Sequence, residues 1–195
     1  MGDVLMDLDS AACIREFRRL GFKDVDKMLD TAHQMGYFGQ LESGQIDVDE
    51  FYNRCLSECS PGTCREDIFR AMRAFNTGVE SYKVALVKEL RTRYRIAMLS
   101  NNNPIALSIY ADYLSQMGVR PSDLVDKTYF SFELGLLKPS EAIFHHMIDD
   151  LGVEAEEIFF VDDSQRNVDA ATSLGIKARR YEPRTDLRAL LEGLL

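Results

Sequence analysis

The sequence predicts an α/β fold: a doubly wound parallel sheet with a helical bundle inserted near its start. Three observations carry that expectation. From Glu80 onward, short apolar runs alternate with amphipathic helical stretches, the pattern of right-handed βαβ units. Between Ser10 and about Phe75, apolar residues instead recur at helical spacing with no convincing strand. Finally, Ile158-Phe159-Phe160-Val161 is an apolar run too short for a buried helix, and it delivers two adjacent carboxylates, Asp162 and Asp163, to its carboxyl end. Open α/β sheets bind ligands at that end of their strands.

In the helical half, Ile14, Phe17 and Leu20 share one face before Gly21, and Val25, Met28, Leu29 and Ala32 share another before Gly36. A third helix carries Val48, Phe51, Tyr52, Cys55 and Leu56 behind Asp47, Asp49 and Glu50, acids that suit a helix amino terminus. A fourth, after Pro61-Gly62, carries Ile68, Phe69, Met72 and Phe75. The span Gly36 to Gly44 breaks the helical pattern with three glycines and is expected to be a loop, either a connector or a ligand-facing segment. The bundle is assigned to residues 10–78, and the sheet unit to 1–9 and 79–195.

In the second half, a helix with Val84, Val87 and Leu90 leads into a strand over Arg95 to Leu99. The helix with Ile105, Ile109, Tyr113, Leu114 and Met117 ends at Gly118 and is followed by a strand around Tyr129 to Phe132. A helix begun at Pro139 buries Ile143, Phe144, Met147, Ile148 and Leu151 ahead of the Asp162 strand. Ser164 is placed to cap the next helix, which carries Val168, Ala171 and Leu174 and stops at Gly175. A strand over Ile176 to Arg179 and a helix with Leu187 and Leu190 end the pattern.

Composition narrows the function classes. With 46% hydrophobic residues the chain buries a respectable core, and a net charge of −9 argues against nucleic acid, whose binding relies on neutralising phosphates with Lys and Arg. No apolar run approaches a bilayer span, and Val4-Leu5-Met6 is too short for a signal peptide core, so the expected location is cytoplasmic, with no membrane partner. Cys13, Cys55, Cys59 and Cys64 form no CxxC pair and read as reduced thiols.

Three strand ends supply polar groups that could converge. Ser100 and Asn101 can hydrogen-bond phosphate oxygens beside the amino terminus of the next helix, although Ser100 equally suits capping that helix. Lys138, just before Pro139, is a point charge suited to phosphate, or taken alone a surface lysine. Asp162 and Asp163 suit a hard divalent cation, because neighbouring carboxylates penalise each other's ionisation and Mg²⁺ takes one or two carboxylates plus waters and phosphate oxygens. Two solvated turn aspartates are the plain alternative.

The order of apolar strand plus Ser-Asn, then Lys-Pro, then apolar strand plus Asp-Asp with a nearby Asn resembles motifs two, three and four of the haloacid dehalogenase superfamily. Met98-Leu99-Ser100-Asn101-Asn102-Asn103, Glu133-Leu134-Gly135-Leu136-Leu137-Lys138-Pro139 and Phe160-Val161-Asp162-Asp163-Ser164 carry the likeness. Within that superfamily the chain resembles phosphatases with a small helical cap inserted after the first strand, a group that includes glucose-1-phosphate phosphatases. Gly39 to Ile46 resembles their loop between cap helices. The resemblance implies a Rossmannoid core and a capped site in which Ser100, Asn101 and Lys138 bind the phosphoryl group. Lys138 would also orient the nucleophile, and Asp162 and Asp163 would serve Mg²⁺ with support from Asn167. The family's reaction runs through an aspartyl-phosphate, which splits hydrolysis into two easier displacements.

Relatives place the attacking aspartate in a pattern written D-x-G-x-V-[LI]-x-D-[LI]-D. Gly2-Asp3-Val4-Leu5-Met6-Asp7-Leu8-Asp9 matches it from the third letter onward, which puts the nucleophile upstream of Met1. A rival register reads Asp7-Leu8-Asp9-Ser10 as a D-x-D-[ST] motif, with Asp7 attacking and Asp9 shuttling the proton. The first register is preferred, because three apolar residues make a poor central strand and Asp9 or Ser10 suits the cap of the helix that follows. The function expected is a Mg²⁺-dependent phosphatase on small phosphorylated metabolites of the sugar phosphate class, incomplete without that upstream residue. The alternative is a non-catalytic phosphate-binding or regulatory domain. The particular substrate and the oligomeric state are left open.

Overall fold

The computed structural model describes residues 1–25 and 36–193. Strand β1 (Met6–Leu8) leads into helix α1 (Ser10–Arg19), then α2 (Gly36–Glu42), α3 (Val48–Glu58) and α4 (Arg65–Phe75). After β2 (Asn76–Val79) come α5 (Ser81–Arg91), β3 (Ala97–Ser100), α6 (Pro104–Gln116) and β4 (Lys127–Phe130). The chain continues through α7 (Ser131–Leu134), α8 (Glu141–Leu151), β5 (Phe159–Asp162), α9 (Gln165–Ser173), β6 (Lys177–Arg180) and α10 (Leu187–Leu190).

Helices α1 to α4 bury their apolar stripes against one another, as their periodicity requires. Phe17, Phe38, Phe51, Cys13, Cys55 and Ile68 form one cluster, which Ile105 and Ile109 of α6 extend into the α/β half. Rings meet edge to face there: Phe17 lies 5.5 Å from Phe22 and from Phe38, and Phe38 lies 5.0 Å from Phe51. The Asp47 side chain accepts from the Glu50 N–H at 2.8 Å and opens α3, and Asp9 does the same for α1 through the Ala12 N–H at 2.8 Å. The span Gly36 to Gly44 departs from the loop expected of it. It is helical through Glu42, because burial of Phe38 and Leu41 in the aromatic cluster outweighs the modest helix penalty of glycine. Met28, Leu29 and Ala32 of the predicted second helix lie outside the described residues.

The α/β half is built on two parallel pairs. β3 pairs with β4, Ser100 opposite Phe130, and β5 pairs with β6, Asp162 opposite Arg180. Among the described residues no backbone ladder joins β3 to β5. The pairs instead share a core in which Leu99, Tyr129 and Phe160 pack against Ile143, Phe144 and Met147 of α8. β1 is not the stub of a central parallel strand. It pairs antiparallel with β2, an element whose Thr77-Gly78 content hides it from sequence reading. Ser164 stands at the amino terminus of α9 but makes no side-chain capping bond, so its predicted cap is not formed.

Because Phe17 is fully buried and meets two rings, Phe17→Ala is expected to cost about 3–5 kcal/mol by urea titration.

Candidate active site

The carboxyl ends of β3 and β5 face one cavity of about 300 Å³. Ser100, Asn101, Lys138, Asp162, Asp163 and Asn167 line it, so the residues predicted from sequence do meet. Phe38, Leu41 and Glu42 of α2 and Met72 and Phe75 of α4 line it from the bundle, and Asn76 and Asn103 add polar groups. The cavity thus lies between the helical bundle and the sheet edge.

Lys138 is its hub, 7% exposed. Its ammonium donates to the Leu99 carbonyl at 3.1 Å and to Asp162 Oδ2 at 2.5 Å, which ties the end of β3 to the end of β5. The Asn101 side chain grips the Lys138 backbone from both sides: its Nδ2 donates to the Lys138 carbonyl and its Oδ1 accepts from the Lys138 N–H, each at 2.9 Å. Asn101 is therefore a brace for the lysine loop, with both ends of its amide engaged. Ser100, 2% exposed, donates its hydroxyl to the Asn101 carbonyl at 3.2 Å.

The two aspartates sit in opposite electrostatic states. Burial pushes the Asp162 carboxyl up, but the Lys138 charge and hydrogen bonds from Lys138 and Asn167 outweigh it and hold the group below the ordinary aspartate value. Asp162 Oδ1 also accepts from the Ser164 N–H at 3.0 Å and from Asn167 Nδ2 at 2.8 Å. Asp163 is pushed up, first by burial and then by the Asp162 charge. Its carboxylate forms no ion pair among the described residues.

Two further acids at the cavity were not assigned roles from sequence. Asp3, at φ 53°, accepts from the Leu8 N–H at 3.3 Å, and burial followed by the Asp163 charge raises its carboxyl. Glu42 is pushed up to about 7 by burial, with Lys138 opposing. Position alone identifies both, since no sequence period marks them. The first-segment aspartates lie elsewhere. Asp7 Oδ1 meets Lys83 Nζ at 3.0 Å, Asp9 caps α1, and neither lines the cavity. The rival register for the nucleophile therefore has no geometric basis. The Met1 amino nitrogen, by contrast, is buried beside Lys138, Asp162 and Asp163.

A buried ion pair is most costly when one partner is removed. Lys138→Met is expected to destabilise the fold by about 3–5 kcal/mol at neutral pH in chemical denaturation, because it strands the Asp162 charge. The folded carboxyl of Asp162 titrates below its unfolded value, so its contribution is complete above the ordinary aspartate range and is lost as pH falls through the depressed folded value. The gap between wild type and variant should therefore narrow below about pH 4.

Comparison with known proteins agrees with this geometry. Residues 66–175 match the family model described as haloacid dehalogenase-like hydrolase. The chain is 34% identical over 195 residues to the D-ribitol-5-phosphate phosphatase of Bacteroides thetaiotaomicron, covering all of this chain and 95% of that one. A HAD family enzyme from the same organism, solved in complex with magnesium and inorganic phosphate, superposes with a TM-score of 0.91 at 30% identity, over 98% of this chain and 96% of that one. A predicted HAD-like hydrolase from Porphyromonas gingivalis does so at 0.90 and 31% identity, over 99% and 94%. Family match, full-length likeness and shared fold place this chain among the haloacid dehalogenase-like hydrolases.

Proposed function

We propose that the protein is a Mg²⁺-dependent phosphatase acting on small phosphorylated sugars or sugar alcohols. The observation that carries this reading is the meeting of Ser100, Lys138, Asp162 and Asp163 at one cavity, at the carboxyl ends of β3 and β5. The full-length relative that acts on D-ribitol 5-phosphate supports the substrate class, and the structural neighbour holding magnesium and phosphate supports the cofactor.

The donor set fits the metal. A hard cation needs oxygen ligands, and Asp163 offers a desolvated carboxylate beside a second one with no protein cation paired to it among the described residues. Asp162 and Asp163 would hold Mg²⁺, with Asn167 fixing the orientation of Asp162. Bound there, the ion would neutralise and orient phosphate oxygens.

The chain's own groups bind and orient the phosphoryl group, while neither Asp7 nor Asp9 stands at the cavity to attack it. An ammonium has three donors, and Lys138 spends two on Leu99 and Asp162, which leaves one for a phosphoryl oxygen. Because the other two fix its position, that donor is preorganised and costs little reordering when charge develops. Ser100 adds a hydroxyl, and Asn101 holds the Lys138 backbone in register. The helical bundle, assigned to residues 10–78, serves as a cap that brings Phe38, Leu41, Met72 and Phe75 to the cavity. The net charge of −9 suits a small ligand drawn to a local cation rather than nucleic acid.

Phosphate release by the protein from D-ribitol 5-phosphate and a panel of sugar phosphates tests the reading. Mg²⁺-dependent turnover is expected, with Asp163→Asn and Lys138→Met each lowering kcat by roughly 100-fold or more. Turnover that survives chelation and the Asp163→Asn change would sink the metal assignment, and phosphate binding without turnover would favour the non-catalytic alternative.

A further inference from the structure

The bundle residues that line the cavity are mostly apolar, and the polar groups beside them are largely committed. Asn103 Oδ1 caps α6 through the Ala106 N–H at 2.9 Å, and Asn76 Nδ2 donates to the Met72 carbonyl at 3.2 Å. Glu42 differs. Among the described residues its carboxylate makes no hydrogen bond, although it lines the cavity within reach of the Lys138 field. A shielded carboxyl with unmet hydrogen-bonding capacity costs free energy unless a ligand meets it.

Its backbone is held firmly. The Ser131 hydroxyl donates to the Glu42 carbonyl at 2.6 Å and accepts from the Asn102 N–H at 3.0 Å, which links the end of α2 to the strand end that carries Ser100. Two residues on, Gly44 has φ 70°, and a Cβ there would sit 2.2 Å from the Phe132 carbonyl oxygen, so the chain is pressed onto α7 at a point that only glycine allows. Glu42 is thus presented to the cavity from a fixed backbone on the bundle side, within the field of Lys138.

We infer that Glu42 is a specificity residue that hydrogen-bonds hydroxyls on the carbon chain of the substrate, so that the site selects hydroxyl-rich phosphomonoesters over phosphate esters of bare hydrocarbon chains. The inference rests on the phosphatase reading above and narrows its substrate class. A carboxyl is the right group for this task. Ionised, it accepts from hydroxyls, and a charged acceptor makes the stronger bond. Protonated, it can donate to them as well, and burial keeps that form populated near neutrality. An apolar ester offers it nothing and leaves it unmet, which is how a polar site rejects an analogue that lacks the hydroxyl.

Calorimetric titration of the protein with Mg²⁺ present tests this, using D-ribitol 5-phosphate, n-pentyl phosphate and inorganic phosphate as ligands. Wild type should prefer the polyol ester over the pentyl ester, and Glu42→Leu should reduce that preference roughly 10- to 100-fold. Glu42→Gln, which keeps shape and hydrogen bonding, should lie between them and guards against loss of folding in the leucine variant. A preference unchanged in both variants would overturn the inference while leaving the phosphatase reading intact, because hydroxyls would then be read elsewhere. If wild type binds none of the three ligands, the phosphatase reading fails and the inference falls with it.

Discussion

The ammonium of Lys138 is the point on which the site depends. The two parallel pairs share no backbone ladder among the described residues, and at their carboxyl ends Lys138 bridges a carbonyl on β3 to a carboxylate on β5. Burying such a charge is unfavourable unless its donors are met, so the lysine and Asp162 stabilise each other only while the two strands hold their separation. Packing of α8 against Leu99 and Phe160 fixes that separation from below. The polar bridge above and the apolar core beneath therefore specify the same geometry, a consistency that makes a strand edge into a rigid binding surface.

The helical bundle meets this surface through few polar contacts, and those are specific. Ser131 joins the end of α2 to the Asn102 backbone, and the close approach at Gly44 sets the height of α2 above α7. Arg73 of α4 also pairs with Asp112 of α6 at 3.0 Å, and Ile105 and Ile109 of α6 enter the aromatic cluster. Apolar packing is non-directional and supplies adhesion, whereas the Ser131 bond and the glycine approach supply register. A bundle that only adhered could slide, and Glu42 would lose its fixed place at the cavity.

Sequence made legible whatever depends on period and on strand ends. The β5 run was found because four apolar residues precede two acids, and the real strand, Phe159 to Asp162, is shifted by one residue. The same small shift recurs in β6, and β4 begins two residues earlier than the apolar run implies and ends before Ser131, because a ladder is set by its partner and not by the apolar run alone. The Gly36 to Gly44 span was misjudged because glycine count outweighed Phe38 and Leu41, whose burial is a tertiary effect. β2 was missed since its pairing with β1 compensates for residues of weak strand propensity. Ser131 carries no readable signal of its role, because it acts through contacts 29 and 89 positions away, which no local pattern encodes, whereas Glu42 lies in the span that sequence marks as a connector or ligand-facing segment.

The limits of residue type are plainest in the two buried lysines. Lys83 and Lys138 both bond an aspartate, and both lie over an aromatic ring, Tyr181 at 5.6 Å and Phe160 at 5.5 Å. Burial lowers the Lys83 ammonium, but hydrogen bonds to Asp7 and Glu80 outweigh it and hold the group above its ordinary value. Two carboxylates thus neutralise Lys83 outside the cavity, where it fastens β1 to α5. Lys138 meets one carboxylate and one carbonyl, and it faces the cavity with a donor to spare. On an acidic chain, Lys138 is the cationic side chain of a cavity otherwise lined by the carboxyls of Asp3, Glu42, Asp162 and Asp163 among the described residues. Counting the partners of a lysine, rather than measuring its burial, separates the one that holds the fold from the one suited to hold an anion.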